Sequence, residues 1–275
     1  VLGFKPSARV TIIDADKITK EMVSELIAST DSLVSAYYKE DSWNAMQDAK
    51  KEAQKVVDSE SATGVAITNA YNDLKAAIDG LVSRDPYTEE DPFAFPAYKD
   101  QTKLLEAEFF ALNPISGDKY VRITESSQAS NGKEVNWFEP GNKIILHYTA
   151  EKAGTYNLEA TYRSGRAQSN PNAFVWSGDK IESGNQDVYG EEGATQYHKI
   201  VLPIEITEAG AGTLIFTADA KAGPVIDKFE ITPNEIDYVK FQIDASAGDH
   251  GSISDAGENE VYQGTDKKFV ITPEA

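Results

Sequence analysis

Glu106 and Glu108 stand two apart in Leu104-Leu105-Glu106-Ala107-Glu108-Phe109, a run that reads as a strand. Both carboxylates then project from one face, about 7 Å apart at Cα by the rise of an extended chain. Two carboxylates held that close repel unless a proton or a cation lies between them. Oxygen ligands suit calcium, which takes about six to eight of them, and Asp227 with loop carbonyls can complete the shell. On spacing alone the pair reads equally well as two solvated strand carboxylates.

The other candidate chemistry is thinner. His147 and His198 fall inside expected strands and His250 in a turn, with no zinc-site or triad spacing. Gly190-Glu191-Glu192-Gly193 is too acidic to cradle phosphate. Carboxylates are many, but no deep-cleft pattern accompanies them and small domains leave no room for a catalytic barrel. The chain reads as a non-enzyme.

The elements that position these residues form a multidomain α + β chain. Strands are expected at 104–109, 120–124, 143–149, 154–162, 173–176, 198–206, 212–218 and 225–232, short β-branched and aromatic runs separated by Gly, Asn and Asp clusters. Together, 104–232 reads as an antiparallel β-sandwich of jelly-roll type. Before it, 15–84 carries helical spacing in three runs. The first has Ile18, Met22 and Leu26, with Asp16 or Thr19 as N-cap. The second begins after Asp41 or Ser42 with Trp43, Met46, Ala49, Ala53, Val56 and Val57 on one face. The third follows Ser61 or Thr63 with Ala66, Ala70, Leu74, Ala77, Ile78 and Leu81, and ends near Gly80. These close a small three-helix bundle.

Pro86, Pro92 and Pro96 among acidic residues make 85–103 a linker. Its Tyr87, Phe93, Phe95 and Tyr98 are too many for a free linker, so several are expected to dock on a neighbouring domain. Residues 1–14 read as one strand left over from a preceding repeat, around Val10-Thr11-Ile12-Ile13, and 234–275 as a partial β repeat.

The 275 residues carry a net charge of −19, which repels phosphate backbones and anionic membranes and excludes nucleic acid as a partner. No apolar run reaches the roughly 18 residues of a membrane span. Cysteine is absent, which removes disulfides, zinc–thiolate sites and thiol nucleophiles and leans towards export.

Three resemblances extend this reading. Tyr38-Lys39-Glu40-Asp41-Ser42-Trp43, Asp58 with Thr63, and Ala70-Tyr71-Asn72-Asp73-Leu74-Lys75-Ala76-Ala77-Ile78-Asp79-Gly80-Leu81 resemble the FIVAR helical module of large secreted Gram-positive glycosidases and adhesins, which implies a spacer. Glu106-Ala107-Glu108, Trp137-Phe138-Glu139-Pro140-Gly141-Asn142, Ala153-Gly154-Thr155-Tyr156 and Ile226-Asp227-Lys228-Phe229 resemble carbohydrate-binding module families 6 and 35, over roughly 104–232. That resemblance implies a β-sandwich in which Glu106, Glu108 and Asp227 hold a structural calcium and Trp137 stacks on a sugar ring. The chain departs from the pattern at Ala194, where a second clamp aromatic is expected, and at Val225, where an Asn is expected. Tyr189 or Trp176 is the candidate replacement wall.

The tail, with Gly251-Ser252-Ile253-Ser254 and Phe269-Val270-Ile271-Thr272-Pro273, resembles short bacterial surface repeats. Such a repeat needs one further strand, so Val10 to Ile13 is expected to pair with the 238–272 region. The expected whole is a non-catalytic carbohydrate-binding and spacer region of a secreted or wall-attached Gram-positive protein, with calcium as cofactor. Its expected partners are a neutral glycan and the other domains of the parent chain. The rival is a structural or protein-adhesive segment that has lost the sugar site.

Overall fold

The computed structural model describes residues 17–114, 117–190 and 195–274, and the chain divides into two compact units between Arg84 and Asp85. The expectations for Val10 to Ile13, Asp16 and Ala194 lie outside the described residues. No described helix is long and apolar enough to cross a membrane.

Among the described residues of the first unit three α-helices form where the apolar spacing requires them: α1 (Lys20–Ser29), α2 (Glu40–Asp58) and α3 (Gly64–Asp79). Thr19 caps α1, its Oγ1 accepting from the Met22 amide at 3.4 Å, and Thr63 caps α3 through the Ala66 amide at 3.2 Å. Gly80 ends α3. α2 starts earlier than expected, because the Lys39 carbonyl already accepts from the Ser42 hydroxyl and the Trp43 amide. Val23, Ile27, Ala53, Ala70 and Leu74 form the core, with Ile18, Leu26, Ala49, Val56, Val57 and Ile78 packed around them. Met22, expected inside, is 37% exposed, since Val23 and Ile27 take the inner face of α1. The Lys20 ammonium reaches across to the Val57 carbonyl at 2.9 Å and satisfies an end group of α2.

The second unit is built on two sheets packed face to face. One runs β1 (Phe93–Ala94), β6 (Lys143–Ala150), β11 (Gly210–Thr217), β8 (Asn172–Asp179), β9 (Gly184–Val188), with β3 (Ala111–Asn113) also on β6. The other runs β10 (Tyr197–Ile206), β7 (Gly154–Arg163), β12 (Val225–Ile236), β5 (Lys133–Asn136), β4 (Arg122–Glu125), with β2 (Lys103–Glu106) on β12. Pairing is antiparallel except β1 on β6. Alternate residues point inward: Ile144, Leu146 and Tyr148 on β6 face Tyr156, Leu158 and Ala160 on β7 and Leu202, Ile204 and Ile206 on β10. Phe216 of β11 stacks on Phe229 of β12 at 5.4 Å, and Phe110 and Phe174 close around them.

The stretch 85–103 is part of this sandwich, which corrects its reading as a linker. β1 adds to the edge of β6, the Phe95 amide donates to the Thr149 carbonyl and the Tyr87 amide to the Phe109 carbonyl. Tyr87, Phe93, Phe95 and Ala97 are buried, and Phe95 meets Tyr148 and Tyr156 edge-on. Prolines keep the segment out of a regular ladder while its aromatics supply core.

The tail folds as two hairpin-like pairs, β13 (Lys240–Ala245) with β15 (Gly257–Tyr262) and β14 (Gly251–Ile253) with β16 (Ile271–Pro273). It is packed on the same unit. Tyr98 lies against Gly264, where a Cβ would come within 2.5 Å of the ring, and the Lys99 ammonium sits 3.9 Å over the Tyr262 ring.

Candidate functional site

The three carboxylates converge, though not as expected. β2 ends at Glu106 and a 3-10 turn, Ala107–Phe109, carries Glu108, so the pair does not share one strand face. Asp227 arrives through a β-bulge: Ile226 pairs with Tyr162 and Lys228 with Thr161, leaving Asp227 as the extra residue. The bulge keeps Ile226 and Phe229 both in the core and turns Asp227 out of the alternation, yet buried.

Ser130 and Asn131 sit among the three. The Asn131 side-chain amide donates to Glu108 Oε1 at 2.7 Å, and the Ser130 amide to Asp227 Oδ1 at 2.8 Å. The Ser130 hydroxyl lies 2.6 Å from Glu106 Oε2 and 3.0 Å from Asp227 Oδ1; its single proton satisfies one contact at a time. Glu106 Oε1 and Glu108 Oε2 are buried and find no hydrogen-bond partner among the described residues. Burial, opposed by the Ser130 hydrogen bond and reinforced by the charges of Glu108 and Asp227, pushes the Glu106 carboxyl up to about 7. Burial also raises Glu108. Two orphan carboxylate oxygens in an all-oxygen set fit a hard cation. Among the described residues no group of three or more His, Cys, Asp or Glu side chains stands ready to hold a metal ion, and Ser130 and Asn131 donate into this cluster.

β5 leads from this cluster to Trp137. The residue takes a left-handed backbone, φ 58°, with its amide held by Asn136 Oδ1 at 2.7 Å. Its neighbour Phe138 is buried against Gly223, whose missing Cβ would lie 1.9 Å from the ring, so the Trp137 indole is turned outward and is 46% exposed. Strain of this kind at a non-glycine residue is held in place by its surroundings and marks functional positions. The Arg122 guanidinium lies 4.3 Å from the indole centroid.

Trp137 borders a cleft of about 280 Å³ with Arg163, Ser164, Arg166, Asn172 and Val225. Its floor is fixed: Ser164 donates to Asn172 Oδ1 at 2.6 Å, and Asn172 Nδ2 donates to the Ala222 and Gly223 carbonyls. One wall is fixed from behind by Glu134, 2% exposed, which receives Arg163 through Nε at 2.9 Å and through Nη2, Tyr197 at 2.6 Å and Thr124 at 3.3 Å. Burial alone would raise the Glu134 carboxyl, but these bonds and the Arg163 charge outweigh it and hold it below the usual range. Burial and donation to Glu134 push the Tyr197 hydroxyl up to about 12.

Trp176 is not a wall of this cleft, which corrects that expectation. It is 6% exposed, with its ring over Gly184, where a Cβ would approach to 2.3 Å. Tyr189 is half-buried and lines a different cleft, of about 570 Å³, with Tyr162, Gln186 and His198. Val225 does line the Trp137 cleft. The Glu134–Arg163–Tyr197 network went unforeseen, since Lys133-Glu134-Val135-Asn136 is too short and too polar to stand out as a strand.

No protein-family model matches the chain, and no curated protein does. Among solved structures the chain is similar to a family 35 carbohydrate-binding module from Clostridium thermocellum, at 19% identity and TM-score 0.39 over 48% of this chain and 98% of that one. It is also similar to a family 35 module from Cellvibrio japonicus, at 12% identity and TM-score 0.39 over 50% and 96%. An exo-β-1,3-galactanase from Phanerochaete chrysosporium matches at 16% identity and TM-score 0.41 over 48% of this chain, which spans 29% of the galactanase.

Proposed function

We propose that the second unit is a non-catalytic carbohydrate-binding module. Trp137 would stack on a sugar ring while the polar groups of the adjoining cleft take hydroxyls. The observation that carries this reading is Trp137 itself: an aromatic face pinned outward by a left-handed backbone, beside a cleft whose floor and wall are already hydrogen-bonded in place. Aromatic platforms bind sugars through their C–H faces, and a preorganised cleft loses little conformational entropy on binding. The sequence resemblance to families 6 and 35 supports the same reading. Neutral glycans were expected from the net charge, but the cleft itself is lined by Arg163 and Arg166, so carboxylated sugars belong in the test.

Glu106, Glu108 and Asp227 would hold calcium, with Ser130 and Asn131 withdrawing their donors as the ion enters. Bound there, calcium would offset two of the cluster's three negative charges and tie β2, the loop before β5 and β12 together. The helical unit would serve as a spacer within a longer extracellular protein of a Gram-positive bacterium.

A glycan array probed with the full chain, against Trp137→Ala, tests the reading. Binding of a defined oligosaccharide that is lost in the variant, with folding intact, is the result expected. Unchanged binding by Trp137→Ala, or no glycan bound with calcium supplied, would turn the choice to a structural or protein-adhesive segment.

A further inference from the structure

Among the described residues the tail presents an open strand edge whose sequence matches itself. β13, Lys240-Phe241-Gln242-Ile243-Asp244-Ala245, pairs among the described residues with β15 alone, and Lys240 to Asp244 are all exposed. The Gln263 amide donates to the Val239 carbonyl, and 239 stands opposite 263 in the β13–β15 register. Hydrogen-bonded pairs in an antiparallel ladder recur at every second residue, so Val239, Phe241 and Ile243 use their backbone groups towards β15. The amides and carbonyls of Lys240, Gln242 and Asp244 therefore point away from it, to the open side.

From this edge we infer that the chain self-associates through β13, two copies pairing antiparallel about a two-fold axis at Gln242. That register makes Gln242 exchange both backbone hydrogen bonds with its partner copy and sets Lys240 opposite Asp244 twice. On the other face it sets Phe241, 54% exposed, against Ile243, 38% exposed, also twice. The outward backbone groups sit on the even-numbered residues, as this register requires. A parallel alignment would instead bring Lys240 level with Lys240, and a two-residue slip would leave the charges unmatched. Lys240 already bonds Glu260 at 2.8 Å within its own chain, whereas no ion pair of Asp244 is seen among the described residues.

The contact is small. A strand pair of this length buries less than the roughly 1,200 Å² of a stable interface, so the association is weak and gains strength only where several copies are displayed together. The net charge of −19 also opposes it at long range, and salt near about 0.15 M screens that repulsion while leaving the short-range pairing.

Sedimentation velocity of the full chain from about 10 µM to about 1 mM, the range of weak interfaces, tests the inference. A monomer–dimer equilibrium is expected. Gln242→Pro removes an amide that faces away from β15, so it should abolish the dimer without unfolding the tail. Lys240→Glu and Asp244→Lys should each weaken the dimer by roughly three- to tenfold, because each sets like charges opposite one another twice, and the double variant should recover it. A chain that stays monomeric to about 1 mM, or a double variant no better than the singles, overturns the inference.

Discussion

Ser130 reaches Asp227 Oδ1 twice, its amide at 2.8 Å and its hydroxyl at 3.0 Å, with the hydroxyl proton shared between this oxygen and Glu106 Oε2 at 2.6 Å. The grip is possible because the bulge in β12 releases Asp227 from strand alternation, and because the turn at Ser126 to Gly132 folds back on itself through the Ala129 and Gly132 amides. These donors compensate part of the cluster's charge, and among the described residues Glu106 Oε1 and Glu108 Oε2 still have no partner.

Calcium should therefore stabilise the second unit and leave the helical unit alone. At about 100 times the dissociation constant a bound ion adds about 2.7 kcal/mol, which for a unit of this size raises the melting temperature by roughly 5–10 °C. Calorimetry with calcium and then with chelator should show one transition moving and the other fixed. Asp227→Asn should abolish the response.

Trp137 supplies a test of the cleft that separates contact from backbone. Trp137→Ala should remove glycan binding while costing the fold little, since the ring is nearly half exposed. Trp137→Gly should lose binding equally but melt higher than the alanine variant, by about 1 kcal/mol, because glycine takes a positive φ without penalty. Equal melting of the two variants would show that the left-handed turn is not strained.

The alternation of β6, β7, β10 and β11 was legible because each strand covers a core on one face with a period of two. The same period could have placed Trp176: it stands two residues from Phe174 on β8, and both are buried. Nothing comparable distinguishes Trp137 from Phe138, adjacent aromatics that must face opposite ways, until Gly223 is seen beneath Phe138. The bulge at Asp227 and the end of β2 at Glu106 depend on tertiary register. For that reason the three carboxylates could be named from the resemblance but their geometry could not.

Glu134 makes stability fall in acid. Its folded-state carboxyl lies below its unfolded value, so the stabilisation is fully present above about pH 4.3 and is lost as pH falls through the folded value. Glu134→Gln should remove that acid limb from the second unit's stability profile. It should also cost roughly 3 kcal/mol at neutral pH, because Arg163, with 19% of its side chain exposed, is left without its carboxylate. If the cleft is the binding site, affinity should fall too, since Arg163 loses the partner that orients it. A variant with the parent's acid profile would show that the pair does not hold its charge in the fold.

The stretch 85–103 decides where a stable fragment begins. A protein starting at residue 104 lacks Phe95, which is 3% exposed and meets Tyr148 and Tyr156 at 5.1 and 5.0 Å, and leaves the edge of β6 that β1 covers without a partner. The loss combines a cavity among aromatic rings with an open hydrogen-bonding edge, and such edges template aggregation. Residues 104–232 should accordingly be insoluble or melt far below residues 85–275. Phe95→Ala in the full chain isolates the packing share and should destabilise the second unit by about 3–5 kcal/mol in urea unfolding, with the helical unit unmoved. A 104–232 fragment as stable as 85–275 would return that stretch to the role of a linker.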